Sequence, residues 1–287
     1  MSNISHYSID ILLATFNGEK VIRDQLDSLF AQTVKNWHLL VHDDGSTDAT
    51  VDIVKEYQSA NPEKISLIED GFITGGAKNN FAHLMAKSNA LYVMFCDQDD
   101  VWLPEKVELT LARMIETEKK YPGLAVLVHT DMEVVDSNLK SIAGSAHKYH
   151  KASAQPDMDE LMVCNSVSGC TMMVNRLGLE SAMPVPAVAV MHDWWIALRV
   201  LSIKGRIEFI DKSTMLYRQH EGNAMGAVKV DWSRYIYRLM NPRMLFKDLR
   251  LAFIQAKSVK SLSLACFLKK KIKHILKKTL SHQKKNV

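Results

Sequence analysis

The sequence lacks paired cysteines. Its four stand apart, at Cys96, Cys164, Cys170 and Cys266, with no CxxC among them. That excludes a zinc ribbon and a disulfide framework, and fits reduced thiols in a cytosolic protein. No stretch reaches the roughly 20 apolar residues of a membrane span. The opening MSNISHYSID has no apolar signal core. The dinucleotide fingerprint GxGxxG is missing. GFITGGAK (71–78) falls short of a phosphate-binding loop, because Ala77 separates Gly76 from Lys78 and no Ser or Thr follows the lysine. Acidic residues are missing after Asp248, where Arg250 and ten lysines give the tail a charge of +11. The net charge of the whole chain is only +4, so a mildly acidic body carries a strongly basic end. Such an asymmetry points to an anionic partner for the tail alone.

What is present is an alternation of short apolar runs and helical periods over about the first 120 of 287 residues. IDILLATFN (9–17) reads as a buried strand. VIRDQLDSLFAQT repeats Ile22, Leu26, Leu29 and Phe30 at helical spacing. WHLLVHDDGSTD predicts a second strand that stops at Asp43, Asp44 and Gly45, with Ser46 or Thr47 capping the next helix, TVDIVKEYQ. A third strand is expected at 64–68, a helix at Asn80–Ser88, a fourth strand at LYVMFC, and a helix opened by Pro104 and running to about Glu118. Strands joined by helical crossovers imply an α/β fold with a doubly wound, mostly parallel sheet. In such sheets ligands sit at the carboxyl ends of the strands. Thr15, Asp43–Asp44 and Asp97–Asp100 therefore belong on one edge.

Beyond 120 the pattern loosens. LAVLVHTDMEVVD and SGCTMMVNR read as strands, MHDWWIALRVLSIKG as a helix ended by Gly205, and RIEFIDKSTMLYRQH as a strand or a hairpin pair. Residues 137–157, small and polar, predict a mobile loop. In the tail, Leu268, Ile272, Ile275, Leu276 and Leu280 share one helical face among lysines, the pattern of a basic amphipathic helix suited to an anionic membrane surface. The tail has few aromatics for stacking bases, which argues against nucleic acid.

The run VMFCDQDDVW sets Asp97, Asp99 and Asp100 together at a strand end. Like charges this close raise one another's pKa unless something positive lies among them, and a divalent cation with oxygen ligands meets that need. The run resembles the DxDx(T/V) loop of haloacid-dehalogenase-type phosphatases, but it follows the fourth strand rather than the first and no downstream Gly-Asp pair exists.

LLATFNGEKVIRDQLDSLFAQT, VHDDGSTDAT, GGAKNNF and MFCDQDDVWLPEKV, in this order over roughly 9–110, resemble the family 2 glycosyltransferases of GT-A fold. HDWW near 192 and LYRQHEGNAMGA (216–227) extend the likeness toward bacterial polysaccharide rhamnosyltransferases. The resemblance implies a GT-A domain over 1–227, with a nucleotide-binding half of about 1–120 and an acceptor-side half of 121–227. A basic helical extension over 228–287 follows it. The resemblance places donor contacts on Thr15, Asp43, Asp44, Lys78, Asn79, Asp97 and Arg218, a Mg²⁺ or Mn²⁺ ion on Asp99 and His220, and the catalytic base on Asp193. It implies inverting transfer of a sugar, L-rhamnose from dTDP-rhamnose being the first candidate, from a nucleoside-diphosphate donor to a saccharide or lipid-linked acceptor. The enzyme would work in the cytoplasm at the inner leaflet of the cell membrane, reached through the basic tail. Water in place of the acceptor would make a sugar-nucleotide hydrolase, and loss of catalysis would leave a binding module.

Overall fold

A computed structural model gives the fold of residues 8–150, 152–219 and 242–283, with side chains described for all but 242–245 and 278–283. The first half alternates as expected: β1 (Ile9–Thr15), α1 (Ile22–Phe30), β2 (His38–Asp43), α2 (Thr50–Ala60), β3 (Ile65–Leu67), α3 (Ala77–Lys87), β4 (Tyr92–Asp97), β5 (Val101–Trp102) and α4 (Lys106–Lys120). β6 (Val126–Val135), β7 (Ser141–Ala143), α5 (Ala146–His150) and α6 (Met158–Leu161) follow. Next come a 3₁₀ turn (Gly169–Thr171), β8 (Met172–Asn175), α7 (Arg176–Ala182), α8 (His192–Ser202) and β9 (Arg206–Arg218). Two helices close the described chain, α9 (Pro242–Val259) and α10 (Leu264–Gln283).

The strands form one sheet in the order β3-β2-β1-β4-β8-β6-β9-β5, with β7 beside β6. β3, β2, β1 and β4 run parallel, and β8 enters antiparallel between β4 and β6. Continuous apolar runs suit strands covered on both faces. In β1, Ile9, Ile11 and Leu13 pack toward α1, α2 and α4, while Leu12 joins the opposite layer with Phe81 and Leu84 of α3. In β4, Met94 and Cys96 face the first layer, and Val93 and Phe95 the second. Each large side chain buried this way contributes roughly 1.5–3 kcal/mol.

Several expectations change in detail. RIEFIDKSTMLYRQH gives one long strand, β9, because it runs beside β6 along almost its whole length. Ser46 does not cap α2. Its hydroxyl donates to Asp43 Oδ1 at 2.6 Å, and Asp48 takes the first-turn amide of Thr50 at 3.0 Å. The stretch 137–157 is not a bare loop. It holds β7 and α5, tied down by buried Asp131, which accepts from Ser145 Oγ and, at 3.0 Å, from the His147 amide. α8 ends with Lys204 in the left-handed region (φ 62°), and Gly205 is required for a different reason: a Cβ there would lie 2.5 Å from the Ala125 carbonyl oxygen. The tail helices pack onto the body. Ala252, Ala256 and Phe267 are buried in the same layer as Trp195 and Leu198 of α8.

Candidate functional site

Parallel register brings the predicted strand ends together. Thr15 pairs with Asp43 across β1–β2, and Ala14 with Asp97 across β1–β4. The edge therefore carries two groups of aspartates on either side of β1.

The first group is saturated. Asp43 accepts from Thr15 Oγ1 (2.7 Å), Ser46 Oγ (2.6 Å) and the amides of Gly45 (3.1 Å) and Ser46 (2.7 Å). Gly45 makes that turn at φ 89°, where a side chain would be strained. Asp44 accepts from Thr74 N (2.5 Å), Thr74 Oγ1 (2.8 Å), Gly75 N (3.1 Å) and Gly76 N (2.6 Å). Burial opposes its charge, but these donors outweigh it and hold the carboxyl below the ordinary range. Asp44 thus anchors the glycine loop 71–76 to the strand end. Beyond that loop, Lys78 Nζ donates to the carbonyls of Ala187 (3.3 Å) and Ala189 (3.1 Å), and Asn79 Nδ2 to Thr74 O at 2.9 Å.

The second group contains one carboxylate oxygen with no partner. Asp100 is fully buried. Its Oδ1 meets the Arg218 amide at 3.3 Å, and its Oδ2 has no hydrogen-bond partner. Burial, then the charges of Asp99 and Asp97, pushes its carboxyl far above the usual range. Burial and the charges of Asp99 and Asp193 likewise raise Asp97 to about 7. One ligand atom each from Asp97, Asp100 and Cys170 lies within 4.8 Å of the others. The Asp99 side chain stands outside that trio, and its carbonyl accepts from Arg218 Nε at 2.9 Å.

Asp193 sits in the first turn of α8, where the helix dipole favours a carboxylate. Its Oδ2 accepts from Gly169 N at 3.1 Å and its Oδ1 from Trp194 N at 2.5 Å. Burial still dominates and raises the group to about 6, against the Trp194 and Gly169 amides and the Asn165 side chain. A carboxyl so placed is ionised at neutral pH yet basic enough to accept a proton. Gly169 has no room for a Cβ, which would lie 2.7 Å from His192 Nε2.

Arg218 is buried and committed. Besides Asp99 O, it donates to Ser137 O at 2.8 Å and pairs with Asp24 at 2.7 Å. It locks the 97–100 turn to α1 and β9. His220, the other expected metal ligand, lies outside the described residues. Of the two tryptophans after Asp193, Trp195 belongs to the core, and Trp194 is half-buried with its indole on Leu161 O.

Four contributors escape the sequence. Asp100 shares the acidic run, but only its burial distinguishes it. Cys170 arrives because β8 inserts antiparallel next to β4, which no local pattern announces. Gln98 bonds residue 16 twice, accepting from Phe16 N (2.9 Å) and donating to Phe16 O (2.8 Å), so it acts as one more strand neighbour for the end of β1. Lys106 is fully buried. Its ammonium lies 3.4 Å from Thr214 Oγ1 and 4.8 Å over the Trp102 ring; burial lowers it to about 8, against the pull of Cys170 and Asp100.

Known proteins resemble this chain in sequence and fold. The sequence is similar to the dTDP-rhamnosyl transferase RfbG of Shigella flexneri, 29% identical over 231 residues, covering 75% of this chain and 74% of that protein. It is 28% identical over 200 residues to the Escherichia coli UDP-Glc:alpha-D-GlcNAc-diphosphoundecaprenol beta-1,3-glucosyltransferase WfgD, covering 68% of this chain and 70% of that one. The fold is similar to S. aureus TarS 1-349 solved with UDP-GlcNAc, at a TM-score of 0.64 and 18% identity over 93% of this chain and 71% of that one. It also matches the mannosyltransferase PcManGT from Pyrobaculum calidifontis, solved with GDP-Man and Mn²⁺, at a TM-score of 0.59 and 13% identity over 93% and 79% of the two chains. Residues 10–177, more than half the chain, match the model of glycosyl transferase family 2. The fold is that of GT-A enzymes, and the chain belongs to glycosyl transferase family 2.

Proposed function

We propose that the protein is an inverting, metal-dependent glycosyltransferase. It moves a sugar from a nucleoside-diphosphate donor to a saccharide or lipid-linked acceptor in the synthesis of a bacterial surface polysaccharide. The observation that carries this is the pairing of one poised carboxylate, Asp193, with the crowded carboxyls of Asp97 and Asp100, of which Asp100 Oδ2 has no hydrogen-bond partner. Asp193 takes the proton from the acceptor hydroxyl as that oxygen attacks the anomeric carbon, and the diphosphate leaves on the opposite face. One base suffices, since inversion needs no covalent intermediate.

The orphaned Oδ2 of Asp100 and the neighbouring Asp97 carboxyl fit a divalent cation, Mg²⁺ or Mn²⁺, held by oxygen ligands from Asp97 and Asp100 with Asp99 beside them. The Cys170 thiol, kept neutral by burial, is a neighbour and not a holder of such a hard ion. When bound, such an ion supplies positive charge against a departing diphosphate. Asp44 holds the loop 71–76 over the base and ribose side of the donor. The likeness to RfbG supports dTDP-rhamnose as the donor.

The tail docks the enzyme on an anionic inner leaflet. On α10, Leu268, Ile272 and Leu276 are 39%, 58% and 54% exposed, although Lys270, Lys271 and Lys277 are drawn to Asp159, Val163 O and Glu160 of the body. No single described helix is long and apolar enough to cross a membrane; α9 and α10 together carry enough apolar residues but meet at 114°.

The test is Asp193→Asn. Sugar transfer should fall by about 10²–10⁴-fold, while stabilisation by a nucleotide sugar with Mn²⁺ persists. Undiminished transfer would remove Asp193 from the mechanism. Among nucleotide sugars, dTDP-rhamnose should raise the melting temperature most, since a ligand of the native state stabilises it by mass action. Flotation on anionic liposomes should be lost on charge reversal of Lys269 and Lys273.

A further inference from the structure

A second convergence of ligand groups lies behind the glycine loop. His42 is the penultimate residue of β2, directly before Asp43, His83 lies on α3, and Asp70 precedes the loop. His83 Nε2 is 2.9 Å from Asp70 Oδ2, His42 Nε2 is 3.6 Å from Asp70 Oδ1, and one ligand atom from each residue lies within 4.8 Å of the others. The two imidazoles are 4.6 Å apart at their centroids, and Phe72 stacks on His83 at 5.4 Å. We propose that His42, His83 and Asp70 form a site for a divalent transition-metal ion of the zinc class, separate from the carboxylate trio at the end of β4.

The tautomer of His42 supports this. Asn80 Nδ2 donates to the His42 carbonyl at 3.1 Å, which turns Asn80 Oδ1 toward His42 Nδ1 at 2.8 Å. The reverse orientation would set two carbonyl oxygens against each other. His42 Nδ1 is therefore the protonated nitrogen, and in the neutral ring Nε2 carries its lone pair toward Asp70. At 3.6 Å that contact is too long for a hydrogen bond. A ligating histidine whose other nitrogen is fixed by an amide oxygen is the outer-shell pattern of metal sites. Two imidazoles and one carboxylate suit zinc and leave a fourth position for water. Asp70 is placed as a ligand, since each of its two oxygens faces one imidazole, Oδ2 toward His83 and Oδ1 toward His42. The competing occupant is Lys87, whose ammonium lies 3.2 Å from Asp70 Oδ2 on a side chain 45% exposed. A bound ion displaces that ammonium to solvent and links β2, α3 and the segment leading into Thr74, Gly75 and Gly76, the residues that hold Asp44.

Zinc retained by the full chain, measured by dialysis and metal analysis in excess Mg²⁺, tests the proposal. Wild type and Asp97→Asn should keep the same zinc equivalent. His83→Gln and Asp70→Asn should bind it at least 10-fold more weakly, with circular dichroism unchanged. Lys87→Met should tighten binding, because it removes the competing cation without touching a ligand. In Co²⁺-loaded protein, a visible ligand-field band should disappear with His83→Gln. Equal zinc retention by wild type and His83→Gln, loss of the equivalent in Asp97→Asn, or no gain of affinity in Lys87→Met would each overturn it; the last outcome would make the trio an ion-pair knot around Lys87.

Discussion

Two clusters of aspartates stand at neighbouring strand ends and are built in opposite ways. Asp43 and Asp44 accept eight hydrogen bonds between them, four from backbone amides of the glycine loop and the 43–46 turn other than Thr74's and four from Thr74 N and the hydroxyls of Thr15, Ser46 and Thr74. Asp97 and Asp100 are more crowded and poorer in donors; Asp100 is fully buried, and its Oδ2 has no partner. Donor supply moves the first pair's Asp44 down in pKa, whereas burial and mutual charge move the second pair up. The difference separates scaffold from site. A carboxylate whose lone pairs are filled by its own chain fixes loops, and one left short keeps capacity for something that arrives.

The comparison breaks most visibly at Asp100. Asp100→Asn should weaken Mn²⁺-dependent donor binding by more than the about 10–100-fold that losing an outer-shell partner costs. The metal-free protein should melt no lower than wild type, because burial and the charges of Asp99 and Asp97 already disfavour an ionised carboxyl there and the amide is a neutral replacement. Titration calorimetry and a melting curve check both halves. The opposite sign is expected on the other side of β1. Asp44→Asn turns an NH₂ toward an amide of the glycine loop and forfeits a charge-assisted bond, costing roughly 3 kcal/mol. At about 2–4 °C per kcal/mol for a chain of this size, the melting temperature should drop clearly, and donor affinity should fall with it.

The sequence made one cluster more legible than the other. Alternating strands and helices placed Thr15, Asp43–Asp44 and Asp97–Asp100 on a common edge before any coordinates, because parallel sheets put strand ends there and the pattern over 9–120 is local. Asp193 was readable through the resemblance. What was not readable depends on non-local insertion. β8 runs antiparallel beside β4 and delivers Cys170 and Gly169 from some seventy residues away, while burial alone tells Asp100 from Asp99. Spacing also could not foresee that Lys78, Asn79 and Arg218 spend their donors on the protein's own carbonyls and carboxylate.

The acid response sharpens the contrast between donor-rich and donor-poor burial. His192, between the rings of Phe81 (4.2 Å) and Phe95 (5.3 Å), has no partner for either nitrogen, and burial lowers it to about 3. Between pH 6.5 and 3 the unfolded chain binds a proton that the folded imidazole refuses, so this residue's contribution to stability falls as pH drops through that window. Asp97 and Asp193 act the other way, since the folded state binds their protons first between about 7 or 6 and 4. A difference measurement isolates the histidine. His192→Phe carries some fixed packing cost, but its stability relative to wild type should improve by about 1.6 kcal/mol from pH 6.5 to pH 5. Urea melts at the two pH values read this directly, and a constant difference would mean that the ring is protonated in the fold.

The smallest effect tests whether the two clusters are mechanically joined. Gln98 spans them: it sits inside the acidic turn, and its amide holds Phe16 just beyond Thr15. A Cβ on Gly18 would lie 2.4 Å from Gln98 Oε1. Because that atom ends a flexible, half-buried side chain at the sheet edge, Gly18→Ala should cost no more than the about 1 kcal/mol of a lost neutral hydrogen bond. It should nonetheless lift the amide off Phe16 and loosen the end of β1 against β4. The donor's KM should rise with kcat little changed, since the Asp193 carboxyl, held from Gly169 and Trp194, does not depend on that clasp. If Gly18→Ala left KM unchanged while Gln98→Leu raised it, the clasp would act within the acidic turn alone. A rise in both variants makes Gln98 the tie through which the saturated cluster positions the unsaturated one.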